Sequence, residues 1–192
     1  MKTGLVVVAH PDDETIWMGG KILSSKDIKW TIFSLCREDD KDRAPKFKKV
    51  CRFYEAKGII SDLEDEEIMN IKESLPEVKK RLVRKLRRKN FTYIFSHGYN
   101  GEYGHKRHVG VHLAIKNLVA KNILTCDKLF FFAYNSKRRD LVFNLNKEIL
   151  KTKRDIIERL YGFSKKSFEY KNCSAKELFT VYENPNTLRT SR

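Results

Sequence analysis

The chemistry-bearing residues of this chain gather in two short stretches. The first is Ala9-His10-Pro11-Asp12-Asp13-Glu14, one imidazole and three consecutive carboxylates directly after the apolar run Leu5-Val6-Val7-Val8. The second begins at His97, continues through Gly98-Tyr99-Asn100-Gly101-Glu102-Tyr103-Gly104, and closes on His105-Lys106-Arg107-His108, with His112 one helical turn further on. Imidazole and carboxylate are the donors that zinc and similar divalent ions prefer. A catalytic ion of that kind needs three protein ligands and an open position. His10, Asp13 and one of the later histidines meet the count, leaving Asp12 beside the ion as a general base for a water. Pro11 stiffens the loop where the ligands must be aimed. Asp12 and Asp13 also have a plainer reading, as acids favoured at the N-terminus of a following helix. His108 and His112 are four residues apart and share a helix face, so they too can form a metal pair; the plainer reading of His112 is a buried, hydrogen-bonded histidine. There is no G-x-S-x-G elbow to suggest a serine nucleophile.

Both stretches follow a strand and precede a helix. Apolar runs at Leu5–Val8, Trp30–Cys36, Phe91–Ser96, Lys128–Tyr134 and Leu178–Tyr182 read as strands, with Ile59-Ile60 a weaker one. Helical spacing covers about Asp13 to Ser25, where Gly19-Gly20 suggest close approach to the sheet. It recurs at Phe47, Val50, Cys51 and Tyr54, after Pro45 in a first turn and before Gly58 at a helix stop. Ser74 and Glu77 form a capping box for a helix with Val78, Leu82 and Leu86 inward. Further helices follow His108 and span about Asn146 to Gly162. The alternation of strand and helix predicts a single α/β domain, mainly parallel and doubly wound in the Rossmann-like manner, with helices on both faces. Loops at the carboxyl ends of such strands share one crevice.

The 192 residues are enough for one domain with a full core. Cys36, Cys51, Cys126 and Cys173 show no paired spacing, so neither a disulfide scaffold nor a structural zinc knuckle is expected. No apolar stretch reaches membrane-spanning length and the start does not read as a signal peptide, which predicts a cytoplasmic protein. The 40 Lys and Arg exceed the 25 Asp and Glu, giving a net charge of +15. The densest basic run, Lys79 to Lys89, carries a helical apolar period and reads as a solvated face; no nucleic-acid motif accompanies it, so no nucleic-acid partner is expected. Arg37, Lys41 and Arg43 follow the second strand and should border the crevice. They predict an anionic handle on the substrate, bound by Arg37 and Arg43, unless they pair with the acids Glu38, Asp39, Asp40 and Asp42 of their own loop.

The pairing of Ala-His-Pro-Asp-Asp-Glu with a later Gly-Glu-Tyr-Gly-His-x-x-His resembles the LmbE/PIG-L family of zinc-dependent N-acetylglucosaminyl deacetylases. The loop Leu35 to Pro45 also looks like one found in part of that family, and the C-terminal third is similar only loosely. The resemblance implies metal ligands His10, Asp13 and His108, with Asp12 as general base. It implies that His105 and Tyr103 polarise the carbonyl and stabilise the tetrahedral intermediate. It further implies Zn2+, or another divalent metal such as Fe2+, and an amino-sugar conjugate that loses its acetyl group; a homo-oligomer is left open. One departure stands out: family members commonly read His-Pro-Asp-His, and here the middle pair is Lys106-Arg107. The missing aspartate would orient the first histidine, so His105 needs another partner. The alternatives are a zinc amidase acting on a different amino-sugar conjugate, and a non-catalytic metal-binding protein on the same fold.

Overall fold

The computed structural model describes residues 1–66 and 68–182. Its centre is a seven-stranded sheet in the order β3-β2-β1-β4-β5-β7-β6. The first five strands are parallel: β1 (Lys2–Val8), β2 (Ile28–Cys36), β3 (Lys57–Leu63), β4 (Asn90–Ser96) and β5 (Thr125–Phe132). The last two, β6 (Leu141–Asn144) and β7 (Lys176–Tyr182), add an antiparallel edge.

Period-two alternation gives each central strand two buried faces. In β1, Val6 and Val8 enter one apolar cluster while Leu5 and Val7 enter the other. In β2, Trp30 and Ile32 face the first, and Phe33 and Leu35 the second. The first cluster is covered by α1 (Asp13–Ser24), α2 (Arg43–Phe53) and the π-helical turn Ile156–Leu160 that follows α6 (Lys147–Asp155). The second is covered by α3 (Ile71–Lys85) and α5 (Lys106–Ala120). A short α4 (Gly101–Gly104) precedes α5, and α7 (Phe168–Asn172) precedes β7. Helices on both faces of a mostly parallel sheet make this a single doubly wound α/β domain. The winding reverses between β1 and β4, the position where such sheets open a crevice at their carboxyl edge.

Several local expectations need correction. The capping box of α3 is Asn70 with Glu73, and Ser74 lies inside the helix with its hydroxyl on the Ile71 carbonyl. Two overlapping box patterns occur four residues apart, and the earlier one wins. Gly58 does not stop α2; it lies in β3, where a Cβ would sit 2.8 Å from Cys51 Sγ. The chain reversal after α2 is made by Glu55 at φ 55°, with the Ala56 amide donating to the Cys51 carbonyl at 2.9 Å. At Gly20 the close neighbour is the Leu145 side chain, 2.2 Å from an added Cβ, rather than the sheet backbone. The amides of Gly20 and Lys21 each donate to the Glu177 carboxylate of β7 at 2.8 Å, and Lys153 Nζ donates to the same group at 2.7 Å. The region read as one helix over Asn146–Gly162 is α6 plus the π-turn, and β6 was not foreseen because its four residues are mostly exposed.

Candidate active site

Both chemistry-bearing stretches lie at the switch point, one after β1 and the other after β4. They meet the loops after β2 and β3, and α7, around a cavity of about 350 Å³ lined by His10, Asp12, Asp13, Arg37, Arg43, Asp65, Tyr103 and His105 among others.

Three atoms form a nearly equilateral triangle. His10 Nδ1 lies 3.2 Å from Asp13 Oδ2, His108 Nε2 lies 3.4 Å from that oxygen, and the two nitrogens are 3.2 Å apart. Donors bound tetrahedrally at zinc–ligand lengths of about 2.0–2.1 Å stand about 3.3 Å from one another. The residues present therefore fit a small divalent ion, and the neighbouring ligand-type groups His10-His105-His108 and Asp13-His97-His108 overlap the same spot.

Each member is held from behind. The second nitrogen of His10 meets Asp65 at 2.7 Å, and that of His108 meets Glu102 at 2.6 Å, the carboxylate support that fixes a ligand's tautomer and raises its basicity. Asp13 accepts from the His10 amide and from the Trp17 indole at 2.9 and 3.0 Å. Burial opposes ionisation of Asp13, but the surrounding histidines, His108 foremost, hold its carboxyl well below the ordinary range. Burial would also raise Glu102. The hydrogen bonds that His108 and His97 donate outweigh it and hold the carboxyl below the ordinary range. Glu102 sits at φ 61° and also accepts from the Gly98 amide at 2.7 Å. That turn needs glycine at 98, where a Cβ would fall 2.3 Å from the Phe132 carbonyl oxygen.

His97 and His112 stand behind this layer. His97 is enclosed, with Nδ1 2.7 Å from Glu102 and Nε2 accepting the Ala9 amide at 2.9 Å. Glu102 and Asp13 favour a second proton on this ring against its burial, but the Ala9 N–H already occupies Nε2. We therefore assign the neutral Nδ1–H tautomer, which has no lone pair to offer. His112 Nδ1 meets the His97 carbonyl at 2.9 Å, and no ligand-type group among the described residues includes it. The buried, hydrogen-bonded reading of His112 is the one its geometry favours.

Asp12 occupies the N-cap position of α1 but makes no capping hydrogen bond with its side chain. Its φ of 117° is rare for a non-glycine residue and costs on the order of 1–3 kcal/mol. The carboxylate instead accepts from Arg43 Nη1 at 2.7 Å. Burial and the adjacent Asp13 raise the Asp12 carboxyl well above the ordinary range, and Arg43 and His10 offset only part of that rise. Arg37 reaches Asp65 with Nη2 at 2.6 Å and approaches Asp40 of its own loop only to 3.9 Å. Both arginines border the cavity as expected; Lys41 borders the neighbouring acidic groove instead.

His105 stacks on His108 at 4.6 Å and lines the cavity. In place of an orienting aspartate its Nδ1 accepts the Arg107 amide at 3.2 Å, which leaves the proton on Nε2. Burial and repulsion from His108 and His10 lower its pKa to about 4, so the ring is a neutral donor. Arg107 is buried and donates to Glu64 at 2.8 Å. Tyr103 packs edge-on against His108 and His105.

The residues missed in the sequence are supporting ones. Glu102 stands in the quoted loop, five residues after His97 and six before His108, and a carboxylate between two histidines was a usable signal. Asp65 follows β3 at the same sheet edge, inside an acidic run that hides it.

Fold and site together define a Rossmann-like α/β protein with a His/Asp cluster suited to a divalent ion at the switch point. The chain belongs to the PIG-L family, GlcNAc-PI de-N-acetylase, whose model matches residues 5–119. It is 28% identical over 135 residues to the uncharacterized protein L374 of Acanthamoeba polyphaga mimivirus; the match covers 63% of this chain and 60% of that protein. Its fold is similar to that of N,N'-diacetylchitobiose deacetylase from Pyrococcus horikoshii, with a TM-score of 0.70, 15% identity, and 94% and 84% of the two chains covered. It is also similar to that of GalB, the 4-carboxy-2-hydroxymuconate hydratase of Pseudomonas putida KT2440, with a TM-score of 0.66, 13% identity, and 94% and 95% covered. Among the described residues no helix is long and apolar enough to cross a membrane.

Proposed function

We propose that this protein is a divalent-metal-dependent hydrolase that removes the N-acetyl group from an N-acetylglucosamine-containing conjugate. The observation that carries this reading is the triangle of His10, Asp13 and His108 with the uncapped Asp12 carboxylate opening on the same cavity. Membership of the family supports it.

In this reading His10 Nδ1, Asp13 Oδ2 and His108 Nε2 would hold the ion, zinc or ferrous iron. A bound ion would supply a Lewis acid for the amide carbonyl and lower the pKa of a water. Asp12 would take the proton of the water that attacks the carbonyl carbon. Arg43 opposes the rise in the carboxyl's proton affinity and aims the group through its 2.7 Å contact. Charge then develops on the carbonyl oxygen, where the Tyr103 hydroxyl and the neutral His105 Nε2–H serve as donors. When the C–N bond breaks, Asp12 returns its proton to the departing amine, and acetate and the free amino sugar leave.

The anionic-handle expectation fits less well, because an anion would have to displace Asp12 from Arg43 or Asp65 from Arg37. Free, mostly buried cysteines suit a reducing, cytoplasmic setting. The similarity to a hydratase means that fold alone does not choose the reaction. Metal-loaded protein incubated with a panel of N-acetylglucosamine conjugates, and read for acetate and for the deacetylated product by mass spectrometry, tests the proposal. Acetate release that disappears with a chelator and returns with metal is expected; no acetate from any member overturns it.

A further inference from the structure

The family model ends at residue 119, yet part of the cavity wall comes from α7, through Phe168 and Glu169. Phe168 is 43% exposed and Tyr103 47% exposed. Their rings meet edge to face at 4.8 Å, and Tyr103 meets His108 at 5.4 Å. The rings thus run in series outward from the metal triangle. Large aromatic rings left open on a polar cavity mark ligand contact.

The outer ring is held in place. Ser167 caps α7 by accepting the Tyr170 amide at 3.2 Å. Arg154 lies over the Tyr170 ring at 5.7 Å and donates to the Cys173 carbonyl at 3.3 Å. Beside Phe168, the half-buried Glu169 is the one cavity-lining carboxylate, among the described residues, without a hydrogen-bond partner. Asp12, Asp13, Asp40 and Asp65 are all engaged. An apolar ring face next to an unsatisfied acceptor suits a pyranose, whose C–H face lies on the aromatic ring while a hydroxyl donates to the carboxylate. A negative group would meet Glu169 directly, and both cavity guanidinium groups are already paired.

We propose that Phe168 and Glu169 form a subsite for an uncharged sugar ring joined to the one that carries the reacting acetamide, which makes the substrate a neutral N-acetylglucosamine-containing oligosaccharide. The proposal rests on the deacetylase reading for the reaction, and its test separates the two. Zinc-loaded native, Phe168→Ala, Phe168→Trp and Glu169→Gln proteins are assayed on N-acetylglucosamine and on its β-linked disaccharide. Phe168→Ala is expected to lower the disaccharide-to-monosaccharide ratio of kcat/KM roughly tenfold, the scale of one lost aromatic contact, chiefly through KM. Phe168→Trp should preserve the ratio, and Glu169→Gln should reduce it. If native protein deacetylates both sugars and Phe168→Ala leaves the ratio unchanged, the subsite is overturned while the deacetylase reading stands. If native protein deacetylates neither, calorimetric binding of the disaccharide decides: binding weakened by Phe168→Ala upholds the subsite, and absent or unweakened binding overturns it.

Discussion

The hydroxyl of Tyr161 donates to Oε1 of Glu14 at 2.8 Å, joining the end of the π-helical turn to the third acid of the hexapeptide across 147 positions of chain. The other oxygen of Glu14 accepts the Asp12 amide at 3.1 Å, so the contact helps hold Asp12 in its strained conformation. Burial raises the Glu14 carboxyl to about 7, against the hydrogen bonds from Thr15 and Tyr161. Tyr161→Phe removes a donor from this buried group and is expected to cost about 1–3 kcal/mol of stability. The midpoint of urea unfolding measures it; an unchanged midpoint would show that Glu14 is satisfied without the phenol.

The metal triangle makes a graded prediction. His10→Ala, Asp13→Ala and His108→Ala should each sharply reduce bound metal, whereas His112→Ala should keep it. Glu102→Gln retains the shape but removes the charge that supports His108, and is expected to weaken metal affinity by about 10–100-fold. Elemental analysis and competition with a chelating indicator provide the readout. Retention of full metal by His108→Ala would reassign the third ligand.

The buried pair Lys153–Glu177 has no part in the chemistry and serves as a structural control. Glu177 accepts from Lys153 at 2.7 Å and from the amides of Gly20 and Lys21, tying β7 and α6 to α1 behind the site. Lys153→Met leaves that carboxylate buried and without its cation, a loss expected to cost about 3–5 kcal/mol. Chemical denaturation should show it, with metal content per folded chain unchanged. A loss within a few tenths of a kcal/mol would mean that the two backbone amides satisfy Glu177 unaided.

What could be read in the sequence was whatever is local. The apolar runs of β1, β2 and β4 and the two stretches after β1 and β4 announce themselves by residue type and spacing, and the doubly wound order then brings His10 and His108 together. What was hidden depends on distant partners. Asp65 matters only because β3 ends beside β2 at the same edge, and Tyr161, whose helical spacing turns it inward as found, has its partner Glu14 147 positions away. Arg43 was placed at the crevice but its partner was not foreseen, since Asp12 lies 31 positions away while Asp40 and Asp42 compete for attention nearby. Phe168 and Glu169 sit on a helix too short to show any period.

The central claim is that Asp12 handles the proton while its neighbours hold the ion, and Asp12→Asn tests it most directly. The variant preserves shape, and its amide can still accept from Arg43. Metal content and acetate release are measured on the same preparation of native and variant protein. Full metal occupancy with deacetylation reduced on the order of 10²–10⁴-fold is the expected result. Full occupancy with activity within a few-fold of native would remove Asp12 from the mechanism, and loss of the metal would make it a ligand instead.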